Sequence, residues 1–133
     1  MSSFIIQGGK CLSGRHVVPG NKNAALPMLA ASILTDQPVT LHNVPLIEDV
    51  NTMLALLSDL GVSVSVKDHS IKLCSAGLKK LSLDPDLCRR VRSSILFAGP
   101  LVARHGRGVV FSPGGDIIGR RRVDTHLAAL MQL

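Results

Sequence analysis

The chain has 133 residues, the length of one ordinary domain or of part of a larger protein. Its hydrophobic share of 46% supports a packed core and excludes a disordered chain, and the absence of Trp and Tyr makes that core aliphatic. The net charge of +6 favours anionic partners. An aromatic content of 2% disfavours nucleic acid, whose single strands stack on aromatic side chains, so small phosphorylated or carboxylated ligands fit better.

The cysteines and the hydropathy pattern indicate the cellular location of the protein. Cys11, Cys74 and Cys88 are far apart and lack the C-x-x-C spacing of a metal or redox pair, so we expect reduced, structural thiols. No charged-then-apolar signal segment opens the sequence, and no apolar run approaches membrane-spanning length. We therefore expect a cytoplasmic protein without membrane contact.

The first half of the sequence predicts strands around two helices. Asn23 is predicted to cap a buried helix over 24–34, with Pro27 in or next to its first turn. Apolar residues recur every three or four positions from Ile47 to Leu60, which predicts the most regular helix of the chain. Strands are predicted where short apolar or alternating runs are bounded by turn residues: 3–7, 12–18, 39–44, 62–66 and 71–74.

The second half predicts a similar order of elements. Asp84 is predicted to cap a helix with Pro85 at its first position, and the apolar face continues to Val102 with a kink at Gly99 and Pro100. A strand over 108–112 and an amphipathic segment from 123 to 133 follow.

The two halves look like copies of one unit with a period of roughly 70 residues. The matching leucines are Leu54, Leu57 and Leu60 in the first copy and Leu127, Leu130 and Leu133 in the second. The first copy continues with Gly61 and a hairpin, whereas the second stops, so we expect the front part of a larger protein. A half-built sheet would leave open edges and apolar surface, which predicts poor solubility or association.

Two stretches carry residues suited to chemistry. In PGNKNAALP, Lys22 and Asn23 lie at the start of a buried helix, whose N-terminal amides favour an anion. The alternative is that Asn23 is only a cap and Lys22 only solvated.

The second stretch is SPGGDIIGRRRVDTH, at 112–126, to which we add Arg92 from the preceding helix. Its glycines allow close backbone approach to a ligand, and the arginine run 120–122 offers planar forks for phosphate or carboxylate. The alternative is a solvated basic turn, and only one or two of the arginines can face a common site. Asp124 and His126 are either helix-start polar groups, which we favour, or ligand contacts.

Together, KNAALPMLAASILT, MLALLSDLGV, VRSSILFAGPLVAR and PGGDIIGRRRVDTH resemble the UDP-N-acetylglucosamine 1-carboxyvinyltransferase family of enolpyruvyl transferases. The sister 3-phosphoshikimate family would be expected to have Gly-Ser-Lys-Ser at 20–23, where this chain has GNKN. The resemblance implies an α/β fold, an inside-out α/β barrel protein of two domains, each made of β-α-β-α-β-β units. It implies that 1–21 are strands of the second domain, missing here, and that 22–133 are a partial first domain.

The resemblance also implies an activity. An enolpyruvyl group passes from phosphoenolpyruvate to the 3'-hydroxyl of UDP-N-acetylglucosamine, with loss of phosphate, in the first committed step of peptidoglycan synthesis. No metal or organic cofactor is implied, and the carboxy-terminal domain is required. The alternative is a non-catalytic remnant that binds an anion or a partner.

Site residues come from the same resemblance. Lys22, Arg92 and Arg121 would hold phosphate or carboxylate, with Lys22 and Arg121 also catalytic. Asn23 would touch the sugar nucleotide, and Asp124, with neighbours such as His126, would meet the uridine side.

Asp116 departs from the family pattern, because most members have Cys there. An aspartate-bearing subset resists fosfomycin, since the drug alkylates the thiol. Neighbouring arginines would lower the pKa of Asp116, whereas proton donation at neutral pH needs it raised. Our hypothesis is that bound phosphoenolpyruvate neutralises the arginines and desolvates Asp116, which then protonates C3. Arg122 and Asn21 replace a frequent proline and alanine.

Overall fold

The computed structural model describes residues 3–115 and 122–132. The first half contains, in chain order, α1 (Lys22–Ala31), a 3₁₀ turn (Ser32–Leu34), β1 (Val39–Leu41), α2 (Glu48–Asp59), β2 (Ser63–Lys67) and β3 (Ser70–Cys74). The second half contains α3 (Pro85–Arg90), a 3₁₀ segment (Arg92–Phe97), α4 (Ala98–His105) and α5 (Asp124–Met131). No helix in these ranges is both long and apolar enough to cross a membrane.

A three-stranded antiparallel sheet organises the first half, in the order β1-β3-β2. The register pairs Val39 with Leu73 and Val66 with Ile71. Side chains alternate across a strand, and on the central strand Ile71 and Leu73 both face the core and are buried. The predicted hairpin is confirmed, and Asp68 at its turn adopts a positive φ of 52°, which Asp tolerates better than most residues.

One hydrophobic core joins α1 and α2 to the sheet and extends into the second half. Its fully buried side chains of largest volume are Phe97, Leu29, Ile33, Met53, Leu56, Leu57, Leu60, Ile71, Leu73, Leu83, Leu101 and Val50. Residues from α2 recur at helical spacing in that set, which is the periodicity that predicted the helix. Phe97 and Leu101 attach the second half to this core.

The cap of α1 differs from the sequence prediction. Asn21, not Asn23, is the N-cap: its side-chain oxygen accepts a hydrogen bond from the Ala24 amide at 3.2 Å, and its backbone is extended. The prediction was wrong because either asparagine suits a cap, and the helix begins earlier than predicted. Asn23 therefore lies inside the first turn. Pro27 lies farther into the helix than predicted and has no N–H to donate to the carbonyl of Asn23.

The long helix predicted in the second half is also corrected. The break falls at Val91, whose backbone is extended (φ −139°, ψ 129°), rather than at Gly99 and Pro100. The Ser94 hydroxyl donates to the Val91 carbonyl at 3.0 Å, and such local bonds compete with a continuous helix. Pro100 falls in the first turn of α4, where a missing N–H costs little. Asp84 and Pro85 begin α3 as predicted.

Several predicted strands are not formed in the described residues. Residues 3–21 contain neither helix nor strand, and Phe4, Ile5 and Ile6 are almost fully exposed. Over 108–112, only Val109 pairs, in a parallel bridge with Ser82. A strand needs hydrogen-bonding partners beside it, and no described strand pairs with 3–21. The assignment of 1–21 to a second domain stays a prediction.

Candidate functional site

A cavity of about 410 Å³ opens between the start of α1, the start of α2 and the 3₁₀ segment. Its lining combines charged and apolar side chains: Lys22, Asn23, Leu26, Pro27, Asp49, Arg92, Ser93, Ile95 and Leu96. Three predicted site residues, Lys22, Asn23 and Arg92, therefore come together although they are distant in sequence. We call this the site cavity.

Close backbone packing fixes the start of α1. A Cβ atom on Gly20 would lie 1.6 Å from the carbonyl oxygen of Asn43, so only glycine allows this approach. The next residue, Asn21, caps the helix, and Lys22 and Asn23 follow in its first turn. The glycine and the cap together determine where these two side chains leave the backbone.

The start of α2 carries two acids in its first turn, Glu48 and Asp49, a location that the helix dipole favours. The Asp49 carboxylate contacts the Lys22 ammonium, and Glu48 accepts a hydrogen bond from Arg90. The first turn of α2 is thus ion-paired to the start of α1 and to the end of α3. Sequence reasoning missed both acids, although adjacent carboxylates at a helix start in a basic chain were a usable signal.

The stretch before the arginine run packs against the backbone that leads to Arg92. The Gly114 amide donates to the Cys88 carbonyl at 2.9 Å, and the Gly115 amide donates to the Arg89 carbonyl at 3.2 Å. A Cβ atom on Gly114 would lie 1.7 Å from the Arg89 carbonyl oxygen. The glycines predicted to permit close backbone approach do so here toward the protein's own chain.

Ser93 lines the site cavity and was not identified from sequence. Its hydroxyl oxygen is buried and has no hydrogen-bond partner in the described part of the chain. An unsatisfied buried hydroxyl costs about 1–3 kcal/mol. Ser94 beside it is satisfied by the Val91 carbonyl. Two consecutive serines look alike in a sequence, so no pattern distinguished them.

Asp124 and His126 lie apart from the site cavity lining. The Arg122 guanidinium donates to Asp124 (Nε to Oδ1 3.1 Å, Nε to Oδ2 3.0 Å), which holds the pKa of this carboxyl below its usual range and raises the pKa of Arg122. His126 lines a neighbouring, largely apolar cavity of about 360 Å³ beside α5. Ile95 and Leu96 line both cavities.

The two remaining predicted residues, Asp116 and Arg121, lie outside the described residues, as does Arg120. The described chain places Gly114 beside Arg89 and Gly115 beside Arg92. The part of the site built from described residues is therefore one cavity with two cations, an amide, a paired carboxylate and an unpaired hydroxyl.

Comparison with known proteins identifies the family. The family model described as EPSP synthase (3-phosphoshikimate 1-carboxyvinyltransferase) matches residues 6–133. The chain belongs to the EPSP synthase family. Proteins named UDP-N-acetylglucosamine 1-carboxyvinyltransferase from Bradyrhizobium diazoefficiens and Treponema denticola are 47% and 48% identical to it, over 98% and 100% of this chain. The resemblance found in the sequence is thereby confirmed within this family.

The chain spans 30% and 32% of the length of these two relatives. Among solved structures, the enolpyruvyl transferase NikO from Streptomyces tendae matches 74% of this chain and 23% of its own, with a TM-score of 0.65 and 24% identity. At that identity the likeness shows the fold. The predicted α/β fold of the enolpyruvyl transferase type, here incomplete, is confirmed.

Proposed function

We propose that this chain is part of an enolpyruvyl transferase acting on phosphoenolpyruvate and UDP-N-acetylglucosamine, with release of phosphate, in cytoplasmic peptidoglycan synthesis. The observation that carries the proposal is the convergence of Lys22, Asn23 and Arg92 on one cavity. The names of the relatives that match nearly all of this chain support the choice of substrates.

The cations account for the chemistry. Phosphoenolpyruvate carries a phosphate and a carboxylate, and elimination of phosphate from the tetrahedral intermediate builds negative charge on the leaving group. Fixed cations in a partly enclosed cavity stabilise that charge more than water does. Lys22 and Arg92 supply them from described residues, with Arg121 as a further cation, and Asn23 hydrogen-bonds the sugar nucleotide. Asp124 and His126 contact the uridine side.

Asp116 protonates C3 of phosphoenolpyruvate in this proposal. A carboxyl group in place of a thiol keeps a proton donor and removes the nucleophile that fosfomycin alkylates. The protein therefore resists the drug. Asp116→Cys in an active form of the enzyme should introduce time-dependent inactivation by fosfomycin.

We also propose that 1–21 pair with strands of a second domain. Phe4, Ile5 and Leu12 are more than nine-tenths exposed, and apolar side chains in that state indicate a surface that is covered in the complete protein. Ser3 to Gly20 have no strand partner among the described residues.

The test is release of phosphate from phosphoenolpyruvate and UDP-N-acetylglucosamine. We would assay the chain alone and a chimaera in which it replaces the matching part of the Treponema denticola relative. The chimaera should turn over and the chain alone should not. Lys22→Ala should lower turnover of the chimaera at least about 100-fold, within the range for loss of one electrostatic contact to the transition state.

Lys67→Ala is the matched control, because Lys67 ends β2 away from the site cavity lining. A folded chimaera without turnover, or equal losses in the two variants, would overturn the proposal. Saturable phosphate binding by the chain without turnover by a folded chimaera would instead favour the anion-binding module. The presence of Lys22 and Arg92 in one cavity of this chain is what favours that second candidate.

A further inference from the structure

Asp49 is the one carboxylate in the lining of the site cavity, among the described residues, and the proposed reaction gives it no task. Its side chain is 33% exposed and contacts the Lys22 ammonium, whose side chain is 48% exposed. A negative charge is unexpected beside a site for anions, because it repels the ligand that the cations attract. Its presence therefore calls for a physical reason.

The structure of α2 supplies that reason. Asp49 lies in the first turn of a helix anchored by Val50 and Met53, both fully buried. The backbone that carries the Asp49 carboxylate is therefore held in place, and the aspartate side chain is short. Lys22, in contrast, carries its ammonium on a flexible stem that loses much conformational entropy when it is fixed. A partner on a rigid helix restricts that stem before any ligand arrives.

We propose that Asp49 is a positioning residue that holds the Lys22 ammonium at the wall of the site cavity, ready for an anionic ligand. The proposal rests on the proposed role of Lys22 in binding the anion. An ammonium has three donors, so one can remain on Asp49 while the others reach phosphate or carboxylate oxygens. In this proposal, the free energy gained by orienting the Lys22 ammonium is larger than the cost of repulsion between Asp49 and the anionic ligand.

The other end of α2 offers a matched control. Asp59 pairs with Lys80 at 2.7 Å between Oδ2 and Nζ, and their side chains are 31% and 44% exposed. The residue types, the helix and the exposure match those of the Asp49–Lys22 pair, but neither Asp59 nor Lys80 lines the site cavity. Any effect of a generic surface ion pair should appear equally at both ends.

The experiment acylates lysines of the 133-residue chain with an amine-selective ester and quantifies each site by peptide mass spectrometry. The variants are Asp49→Asn, Asp59→Asn and Asp49→Glu, each checked by circular dichroism. Asp49→Asn should raise the labelling rate of Lys22 relative to Lys80 by about threefold. This factor corresponds to the free energy of one exposed ion pair, whose loss leaves the Lys22 amine free to react. Asp59→Asn should shift the same ratio the opposite way, and Asp49→Glu should stay near the parent ratio.

A second readout uses inorganic phosphate as the probe and separates positioning from a structural role. In the parent chain, phosphate should protect Lys22 from acylation but not Lys80. Asp49→Asn should raise the half-protecting phosphate concentration at least about threefold, Asp59→Asn should not, and Asp49→Glu should restore it in large part.

The outcomes separate the two proposals. An unchanged Lys22 to Lys80 ratio in Asp49→Asn, or tighter phosphate protection, would overturn the positioning role. An absence of phosphate protection in the parent chain would count against the anion site of the proposed function, while the labelling ratios would still decide whether Asp49 holds Lys22. If Asp49→Asn fails to fold, Asp49→Glu must retain the parent ratio, and a large change there would overturn the proposal.

Discussion

Helices α2 and α5 have leucines at the same spacing, but only the leucines of α2 are buried. Leu54 and Leu57 of α2 are buried, whereas Leu127, which corresponds to Leu54, is 37% exposed and α5 has no buried residue among those described. The difference lies in the segment after each helix. The β2–β3 hairpin after α2 supplies Ile71 and Leu73 to the core, and the described chain supplies no such sheet beside α5. Helical spacing therefore determines the helix, while a neighbouring sheet determines its burial.

The largest effect should come from substituting one leucine in each of these two helices. Leu57→Ala should lower the free energy of unfolding by about 3–4 kcal/mol, because it leaves a cavity in the core. Leu127→Ala should lower it by no more than about 1 kcal/mol, because this side chain keeps 37% of its surface exposed. Urea denaturation of the chain measures both. Similar losses in the two variants would show that α5 is packed in solution, contrary to the difference in burial between α2 and α5.

The next largest contrast should come from two glycines of the second half. Gly114→Ala should cost about 2–3 kcal/mol, because its Cβ would lie 1.7 Å from the Arg89 carbonyl oxygen and backbone must move. Gly99→Ala should stabilise by about 0.5–1 kcal/mol, since Gly99 lies in α4 with no atom within 4 Å of the added Cβ. Thermal unfolding of both variants measures the two changes in stability. Equal shifts in the midpoint temperature would argue against the close backbone contact at Gly114.

The adjacent serines should give a smaller contrast. Ser94→Ala should destabilise by about 1 kcal/mol, because it removes the buried hydrogen bond from the Ser94 hydroxyl to the Val91 carbonyl. Ser93→Ala should be neutral or stabilise by up to about 1 kcal/mol, because it removes an unpaired buried oxygen. Chemical denaturation of the two variants decides the point. A loss at Ser93 equal to that at Ser94 would mean that its hydroxyl has a partner in solution.

The smallest effect should come from the ion pair at the start of α5. The Arg122 side chain lowers the folded-state pKa of Asp124. The pair therefore stabilises the folded chain above the unfolded-state pKa, and this contribution is lost as pH falls through the lower folded-state pKa. Both side chains are exposed, so we expect the effect in titration rather than in unfolding. Carboxyl NMR should place the Asp124 midpoint below that of an unpaired aspartate, and Arg122→Gln should move it upward.

Local signals account for what the sequence predicted well. The hairpin, α2 and the Asp84 cap each depend on residues close together in the chain, so alternation, helical spacing and capping chemistry suffice. The site was predicted only in part. Lys22, Asn23 and Arg92 were picked out as candidates from helix-start and loop composition, and the family resemblance implied their roles. Their convergence on one cavity required the packing of α1 against α2 and the 3₁₀ segment.

Long-range effects account for what was missed. The role of Asp49 depends on a contact between two helices, and the earlier helix start at Asn21 depends on the approach of Gly20 to Asn43. The break at Val91 is instead a local exception, because the Ser94 hydroxyl donates to the Val91 carbonyl and the sequence does not show that bond. The apolar runs at 3–7 and 12–18 have strand composition, but pairing needs a neighbour that the described residues do not provide.

The parallel bridge between Ser82 and Val109 has a practical consequence. It consists of two backbone hydrogen bonds, from Leu83 to Val109 at 3.0 Å and from Val109 to Leu81 at 2.8 Å. Such a minimal ladder is a template on which further strands can be added without rearranging the core beneath it. In a split-protein experiment, a separately supplied carboxy-terminal piece of a relative should begin to complement this chain there. Slowed amide exchange at the residues flanking Val109 would be its first sign, because the Val109 amide is already bonded to Leu81.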